Sequence, residues 1–127
     1  MRIGLAIAAV ALVAVPAAAH EVIHDGHAHK HARGCGHTGV MHGGHVDYLH
    51  DGHLHHPHAA HVDEHVIEVS ARNPAAEKRV ATGHRHATGD GHNRVQHGDH
   101  FDHLHAGRLH HAHVGHVDDH GAVTMAR

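Results

Sequence analysis

Polar and apolar residues alternate on both sides of the dipeptide Asp51-Gly52. An Asp-Gly pair between two alternating segments favours a two-residue hairpin turn, because both central residues of that turn take positive φ. The pattern therefore predicts a short β-hairpin in which Leu49 lies opposite Leu54. A shift of one residue would move every apolar side chain to the other face, so the alternation fixes the register.

This register divides the side chains of the hairpin between two faces. The face that contains the leucines also carries polar residues with metal-binding groups, and its members are His45, Asp47, Leu49, Leu54, His56 and His58. Opposed side chains of an antiparallel pair lie about 4.5–5.5 Å apart at Cβ. Three imidazoles and a carboxylate at that spacing predict a tetrahedral Zn²⁺ site, with Asp47 as the fourth ligand or as the acceptor that orients a ring.

The segment that contains the hairpin occurs twice. Residues 29–65 align without a gap with residues 84–120, and 22 of the 37 aligned pairs are identical, 11 of them histidines. Glycines and leucines align as well, which a histidine-rich composition alone would not produce. The counterparts of the predicted ligands are His100, Asp102, His111 and His113.

The second turn has a different sequence, since Ala106-Gly107 replaces Asp51-Gly52. Alanine resists the positive φ that such a turn requires, so we expect the second hairpin to be the weaker one. The sequence predicts one hairpin and one metal site in each repeat.

Residues 1–19 have the pattern of a secretory signal peptide. Arg2 precedes an apolar run of 13 residues, Ile3–Val15, and small residues stand at Ala17 and Ala19. This pattern predicts a signal helix that is cleaved after Ala19. We therefore expect a periplasmic or secreted protein without stable membrane insertion after cleavage.

The repeat and the signal pattern together divide the chain into six segments. They are a signal peptide (1–19), a His-rich leader (20–28), repeat 1 (29–65), a linker (66–83), repeat 2 (84–120) and a C-terminal tail (121–127). In the linker, Asn73-Pro74 indicates a turn, and residues 75–80 have room for one or two helical turns at most.

The composition argues against a conventional hydrophobic core. The chain has 127 residues and 27 histidines, with Tyr48 and Phe101 as its only aromatic residues. So little apolar area hardly offsets a backbone ordering cost of about 1–2 kcal/mol per residue. A single cysteine excludes a disulfide within the chain, which leaves metal ions to stabilise it. The expected fold is small, irregular and metal-dependent, with low secondary structure outside the two short hairpins.

Further candidate ligands lie outside the hairpins. Cys35 and His37 place a thiol next to an imidazole, a pair that favours soft metals. The second repeat has Asp90 where the first has Cys35, so the thiol is not required by the motif, and a free oxidisable thiol is the alternative.

Each repeat ends with two histidines four residues apart. The pairs are His61 with His65 and His116 with His120. This spacing puts both rings on one face of a helix and indicates a ligand pair, although a solvated end of the motif fits equally well.

The motifs GCGH, HGGHVDYLHDGHLHHPH and HVDEH resemble those of a group of short bacterial His-rich proteins associated with zinc transport and zinc homeostasis. The resemblance covers both repeats and implies zinc handling. The second repeat departs from the pattern, because it lacks the cysteine and the Asp-Gly turn. The resemblance therefore implies a zinc site of this pattern in the first repeat more closely than in the second.

These observations favour a zinc buffer or chaperone that passes metal ions to a transporter or an apo-metalloprotein. A copper- or nickel-binding protein of the same architecture is the alternative, because Cu²⁺ outcompetes Zn²⁺ at imidazole sites, although no methionine cluster specifies cuprous copper. A formal net charge of −3 and the absence of a Lys/Arg cluster disfavour nucleic-acid binding.

Catalysis and membrane binding are the other classes considered. A metal-dependent hydrolytic enzyme needs a dry, shaped pocket that few large apolar residues can build, so we predict a protein without enzymatic activity. Binding to a membrane surface at acidic pH is disfavoured by the lack of an amphipathic stripe.

Overall fold

The computed structural model describes residues 30–127 and the backbone of one strand in the leader. The predicted signal peptide lies outside the described residues. The strands are β1 Val22–His24, β2 Thr38–His42, β3 His45–His50, β4 His53–Pro57, β5 Val62–His65, β6 Arg79–Val80, β7 Asn93–His97, β8 His100–His105, β9 Arg108–His113, β10 His116–Ala122 and β11 Thr124–Met125. Within this described part, no helix is long and apolar enough to cross a membrane.

The strands form two antiparallel sheets, so the expectation of an irregular chain with low secondary structure is wrong. Sheet 1 has the order β1-β5-β4-β3-β2-β11, and sheet 2 has the order β6-β10-β9-β8-β7. Consecutive strands of each repeat are neighbours in its sheet, because short turns, most of them containing glycine, return the chain directly alongside itself. The described residues are therefore all-β.

The turn between β3 and β4 sets the register that the alternation predicts. Leu49 pairs with Leu54 in sheet 1, and their counterparts Leu104 and Leu109 pair in sheet 2. Asp51 has φ 51° and Ala106 has φ 49°. The alanine thus adopts the left-handed conformation that it resists, because the flanking strands impose the turn.

The leucine and valine positions of both repeats meet in a single apolar core. Its buried members are Val40, Leu49, Leu54, Ile67, Val95 and Leu109, with Leu104 and Val123 packed against them. Thr38 and Asn93, which occupy equivalent positions in the two repeats, meet at the edge of this core. Asn93 Nδ2 donates a hydrogen bond to Thr38 Oγ1 at 3.2 Å. Sheet 1 supplies three of the six buried residues, sheet 2 supplies two and the linker supplies Ile67, so neither repeat buries its apolar face alone.

The segment that follows each repeat crosses to the sheet of the other repeat. After repeat 1, Ile67 N donates to Gln96 O at 3.0 Å beside β7. After repeat 2, β11 pairs with β2. The helical turns expected in residues 75–80 are absent, because this part of the linker is extended and ends in β6, which pairs with β10. These crossings join the two sheets.

Replacing Ala106 by Asp should stabilise the fold. An alanine at positive φ is strained, whereas Asp tolerates this conformation, as its counterpart Asp51 shows. We expect Ala106→Asp to raise the free energy of unfolding by about 0.5–1 kcal/mol, measured by urea denaturation. The reciprocal control, Asp51→Ala, should lower it by a similar amount. An unchanged or lower midpoint for Ala106→Asp would contradict the turn geometry.

Candidate metal centres

Asp47, in the middle of β3, is fully buried and is contacted by four imidazole rings. His42 Nδ1 and His65 Nδ1 donate to its Oδ2 at 2.9 and 2.8 Å. His56 Nδ1 and His45 Nε2 lie 3.0 Å from its Oδ1. We call these five residues the Asp47 cluster. Three of these contacts are hydrogen bonds, whereas His45 Nε2 approaches the carboxylate without hydrogen-bond geometry.

Four adjacent strands of sheet 1 bring the Asp47 cluster together. His42 ends β2 and pairs across the Gly43-Gly44 turn with His45 at the start of β3. His56 lies in β4, and His65 lies in β5 opposite Leu54. The rings therefore extend the row of side chains that begins with the leucines of the core.

The second repeat builds the same arrangement around Asp102, which is also fully buried. His97 Nδ1 and His120 Nδ1 lie 2.9 Å from Oδ2. His111 Nδ1 and His100 Nε2 lie 2.9 and 3.2 Å from Oδ1. We call these residues the Asp102 cluster. Its rings are 0–25% exposed, against 18–35% in the Asp47 cluster.

His97 is the most constrained ring of the Asp102 cluster. It is fully buried, and its Nε2 lies 2.9 Å from the main-chain oxygen of Asn73 while its Nδ1 faces Asp102. Both neighbours are acceptors, whereas a neutral imidazole has a single N–H. Whichever nitrogen carries that proton, the lone pair of the other one faces an acceptor. A metal ion bound at Nδ1 would remove this conflict, because the Nε2–H could then donate to the Asn73 carbonyl.

The structure gathers most of the predicted ligands around the two carboxylates. His45, Asp47, His56 and His65 lie in the Asp47 cluster, and His100, Asp102, His111 and His120 lie in the Asp102 cluster. His42 and His97, which are not among the ligands predicted above, complete the clusters. The signal that could have found them is the glycine turn after each, which sets His42 opposite His45 and His97 opposite His100.

The remaining predicted histidines of the hairpins contact other carboxylates. His58 and His61 lie 3.0 and 3.2 Å from Asp63. His113 and His116 lie 3.0 and 3.5 Å from Asp118. The helical face expected for His61 with His65, and for His116 with His120, is wrong, because these segments belong to β5 and β10 and the two rings of each pair reach different carboxylates.

Cys35 and His37 lie on the opposite side of sheet 1 from the Asp47 cluster. Their Sγ and ring nitrogen are within 4.8 Å of each other and of a nitrogen of His31. Among the described residues, Cys35 is free of any disulfide. The sequence analysis proposed Cys35 and His37 as ligands but did not include His31, which precedes the hairpin and has no strand pattern.

The electrostatic environment keeps the carboxylate charged and several rings neutral. Burial by itself raises the pKa of Asp47, but hydrogen bonds from His42 and His65 outweigh it, and the pKa lies below its usual value. Burial is also the main cause that lowers the pKa of five histidines: His45, His86, His103, His105 and His110. Anionic carboxylate and neutral imidazole are the forms that bind metal ions.

The donor sets fit a tetrahedral transition-metal ion. Ligand atoms from His42, His45, Asp47 and His65 lie within 4.8 Å of one another, as do those from the equivalent residues of the Asp102 cluster. Nitrogen and oxygen ligands of zinc stand about 3.3 Å apart, from bond lengths of about 2.0–2.1 Å. Ring rotations that bring the ligand atoms closer by up to about 1.5 Å would close this difference. The protein is thus histidine-rich with several clusters that can hold a metal ion.

No protein-family model, curated protein or solved structure matches this chain. The argument for function therefore rests on the geometry of these clusters.

Acidification should destabilise the protein even in the presence of a chelator. Where folding lowers a histidine pKa, the unfolded chain binds protons that the folded chain excludes. The free energy of unfolding should then be highest above pH ~6.5 and fall as the pH drops through that value. Denaturant titrations at pH ~7.5 and ~5.5 would measure this, and a higher stability at the lower pH would contradict the neutral state of these rings.

Replacing Asn73 by Ala should weaken metal binding at the Asp102 cluster alone. Asn73 Nδ2 donates to His120 O and Ala122 O, both at 3.2 Å, and so fixes the carbonyl that orients His97. Loss of such an orienting partner typically costs about 10–100-fold in metal affinity. Zinc competition titrations should show this loss at the Asp102 cluster and none at the Asp47 cluster.

The neighbouring variant Arg72→Ala is the matched control. Its side chain bonds Ala122 O and Thr124 Oγ1, without contacting the Asp102 cluster. If Arg72→Ala and Asn73→Ala weakened zinc binding equally, general loosening of the linker would explain the effect and the orienting role of Asn73 would be refuted.

Proposed function

We propose that this protein is an exported zinc-binding protein that holds ions in the Asp47 and Asp102 clusters and releases them to a transporter or an apo-metalloprotein. Export rests on the signal pattern of residues 1–19. The role is that of a metal buffer or chaperone and not of an enzyme. The metal ion is the cargo.

The observation that carries this proposal is the environment of His97. A fully buried ring with an acceptor at each nitrogen needs a cation on one side. A divalent ion bound at Nδ1 supplies it and leaves the Nε2–H to donate to the Asn73 carbonyl. Because three further rings reach the same carboxylate, an ion there gains several ligands in a single step.

The chemistry of the donors supports zinc first. Imidazole nitrogen with one carboxylate is a borderline donor set that zinc accepts in tetrahedral geometry. Cu²⁺ and Ni²⁺ bind the same groups but prefer square-planar or tetragonal sites. Strands that place rings on both carboxylate oxygens favour a compact site over a planar one. A copper- or nickel-binding protein of this architecture remains the alternative that the experiment below separates.

The difference in exposure between the clusters suits a protein that exchanges its cargo. The Asp47 cluster has the more accessible rings and has no counterpart of the Asn73 contact among the described residues. A recipient can approach its ligands directly. The Asp102 cluster is more deeply buried and its ring orientation is fixed, so ions there should leave more slowly.

Zinc stoichiometry should fall by one ion for each cluster that is disrupted. His42→Ala with His65→Ala should remove the ion at Asp47, and His97→Ala with His120→Ala should remove the ion at Asp102. Native mass spectrometry of the exported protein, purified without metal-affinity resin, would count the ions and identify the metal. The same spectrum would give the mature mass, expected to begin at His20.

His53→Arg is the matched control, since the second repeat carries Arg108 at the equivalent position. His53 contacts Glu64 and not Asp47, so the zinc count should not change. Denaturant titrations would show which variants stay folded. If both double variants folded and kept every ion, these clusters would not be the zinc sites. Copper or nickel bound at the Asp47 or Asp102 cluster of the protein as isolated would overturn zinc as the cargo.

A further inference from the structure

The face of sheet 1 opposite the Asp47 cluster carries a second group of imidazoles. His31 lies at its centre, with its ring centroid 5.0 Å from that of His37, 5.2 Å from that of His50 and 5.1 Å from that of His55. His31 Nε2 and His55 Nδ1 share a hydrogen bond of 3.1 Å, and both residues are buried. We call this group the His31 cluster.

The second repeat reproduces this group around His86, the counterpart of His31. Its ring centroid lies 5.1 Å from that of His92, 5.4 Å from that of His105 and 5.1 Å from that of His110. The central hydrogen bond is repeated as well, between His86 Nε2 and His110 Nδ1 at 3.0 Å. We call this group the His86 cluster. An arrangement that is built twice at equivalent positions is a feature of the motif and not a chance contact of surface rings.

The sequence pattern explains why these rings share a face. His50 and His55 are adjacent to Leu49 and Leu54, so strand alternation points them away from the core. His31 is folded over this face by a turn in which Cys35 N donates to Ala32 O at 3.0 Å. The equivalent turn in repeat 2 is closed by Asp90 N and Ala87 O at 3.1 Å.

One position in that turn differs in chemistry between the repeats. In repeat 2, Asp90 Oδ2 lies 3.2 Å from His86 Nδ1, 3.4 Å from His92 Nδ1 and 3.2 Å from His103 Nδ1. The side chain at this position therefore reaches into the cluster. In repeat 1 the same position is Cys35, with its Sγ within 4.8 Å of the ligand nitrogens of His31 and His37.

We infer that the His31 and His86 clusters are a second pair of metal sites, and that the residue at position 35 or 90 selects a different ion for each. The His31 cluster takes a soft monovalent ion, cuprous copper, through the Cys35 thiolate and imidazoles. The His86 cluster takes a borderline divalent ion, zinc, through Asp90 and imidazoles.

Softness and charge both support this assignment. Thiolate is the soft donor that Cu⁺ prefers, whereas carboxylate suits harder ions. The single negative charge of a thiolate also cancels the charge of a monovalent ion. This matters because His31 and His55 are buried, and an unbalanced charge is costly away from water. Among the described residues, exposed Asp51 contacts His50, and Glu64 pairs with His53 and lies 4.0 Å from His55 Nε2. Asp90, by contrast, is itself well buried against three rings.

Exchange of the two residues tests the assignment. The probes are Cu⁺, supplied without oxygen against a competing cuprous chelator, and Zn²⁺. The full mature chain should retain one Cu⁺ against the chelator. Cys35→Asp should weaken that binding at least tenfold, and Asp90→Cys should create a second Cu⁺ site. The zinc ions of the Asp47 and Asp102 clusters should remain in both variants.

Two further measurements test whether imidazoles and the thiol bind copper together. His31→Ala must also weaken Cu⁺ binding, because a thiol that binds copper without the imidazoles would refute the cluster. X-ray absorption should show sulfur and nitrogen ligands on copper in the wild type and nitrogen without sulfur in any copper retained by Cys35→Asp. Equal Cu⁺ affinity in wild type and a folded Cys35→Asp would overturn the inference. Loss of the zinc count at the Asp clusters would contradict the proposed function instead.

Discussion

Burial of one carboxylate among four imidazoles is the interaction on which each repeat depends. Removing a carboxylate from water costs on the order of several kcal/mol unless hydrogen bonds replace the lost hydration. Asp47 and Asp102 are fully buried, and each receives ring nitrogens from four adjacent strands. The strands must keep their register for these contacts to form, because a shift of one residue would leave the charge buried and unpaired. The contacts of the clusters therefore fix the register of the strands, and the strands in turn place the residues of the clusters.

The apolar core is too small to explain the fold without these contacts. Its buried members are six aliphatic side chains shared by two sheets. Segments that cross from one repeat to the sheet of the other add main-chain hydrogen bonds at the edges, at Ile67 and at β11. The two repeats are thus mutually dependent, as expected where neither can bury its apolar face alone. The crossing segments also create the difference between the sites, because Asn73 of the linker orients His97 and does nothing comparable for His42.

Sequence reasoning predicted the parts of this structure that are local. Alternation around Asp51-Gly52 predicted the pairing of Leu49 with Leu54 and placed His45, Asp47 and His56 on one face. It failed where the determining contact is distant in the chain. His65 reaches Asp47 across two strands, and the spacing of four that suggested a helix arises in β5 from ordinary alternation. The sheets themselves were missed, because their core needs apolar residues of both repeats that neither repeat supplies in sufficient number. His31 was missed because a turn, and not a periodic strand, carries it.

The same ring nitrogens serve the fold and the ion, and this constrains how an ion can enter. A ring that donates to Asp47 has its proton on the nitrogen that would become the ligand. Transfer of that proton to the other nitrogen frees the lone pair without changing the charge of the ring. In a partly exposed ring such as His42 or His56, this exchange costs less than in a fully buried ring. At His97 the far nitrogen already faces the Asn73 carbonyl, which accepts the proton there once the near nitrogen binds an ion. Preorganisation raises affinity because less must be rearranged on binding. Two copies of one motif can in this way hold the same metal with different strength, through a single main-chain oxygen that lies outside both repeats.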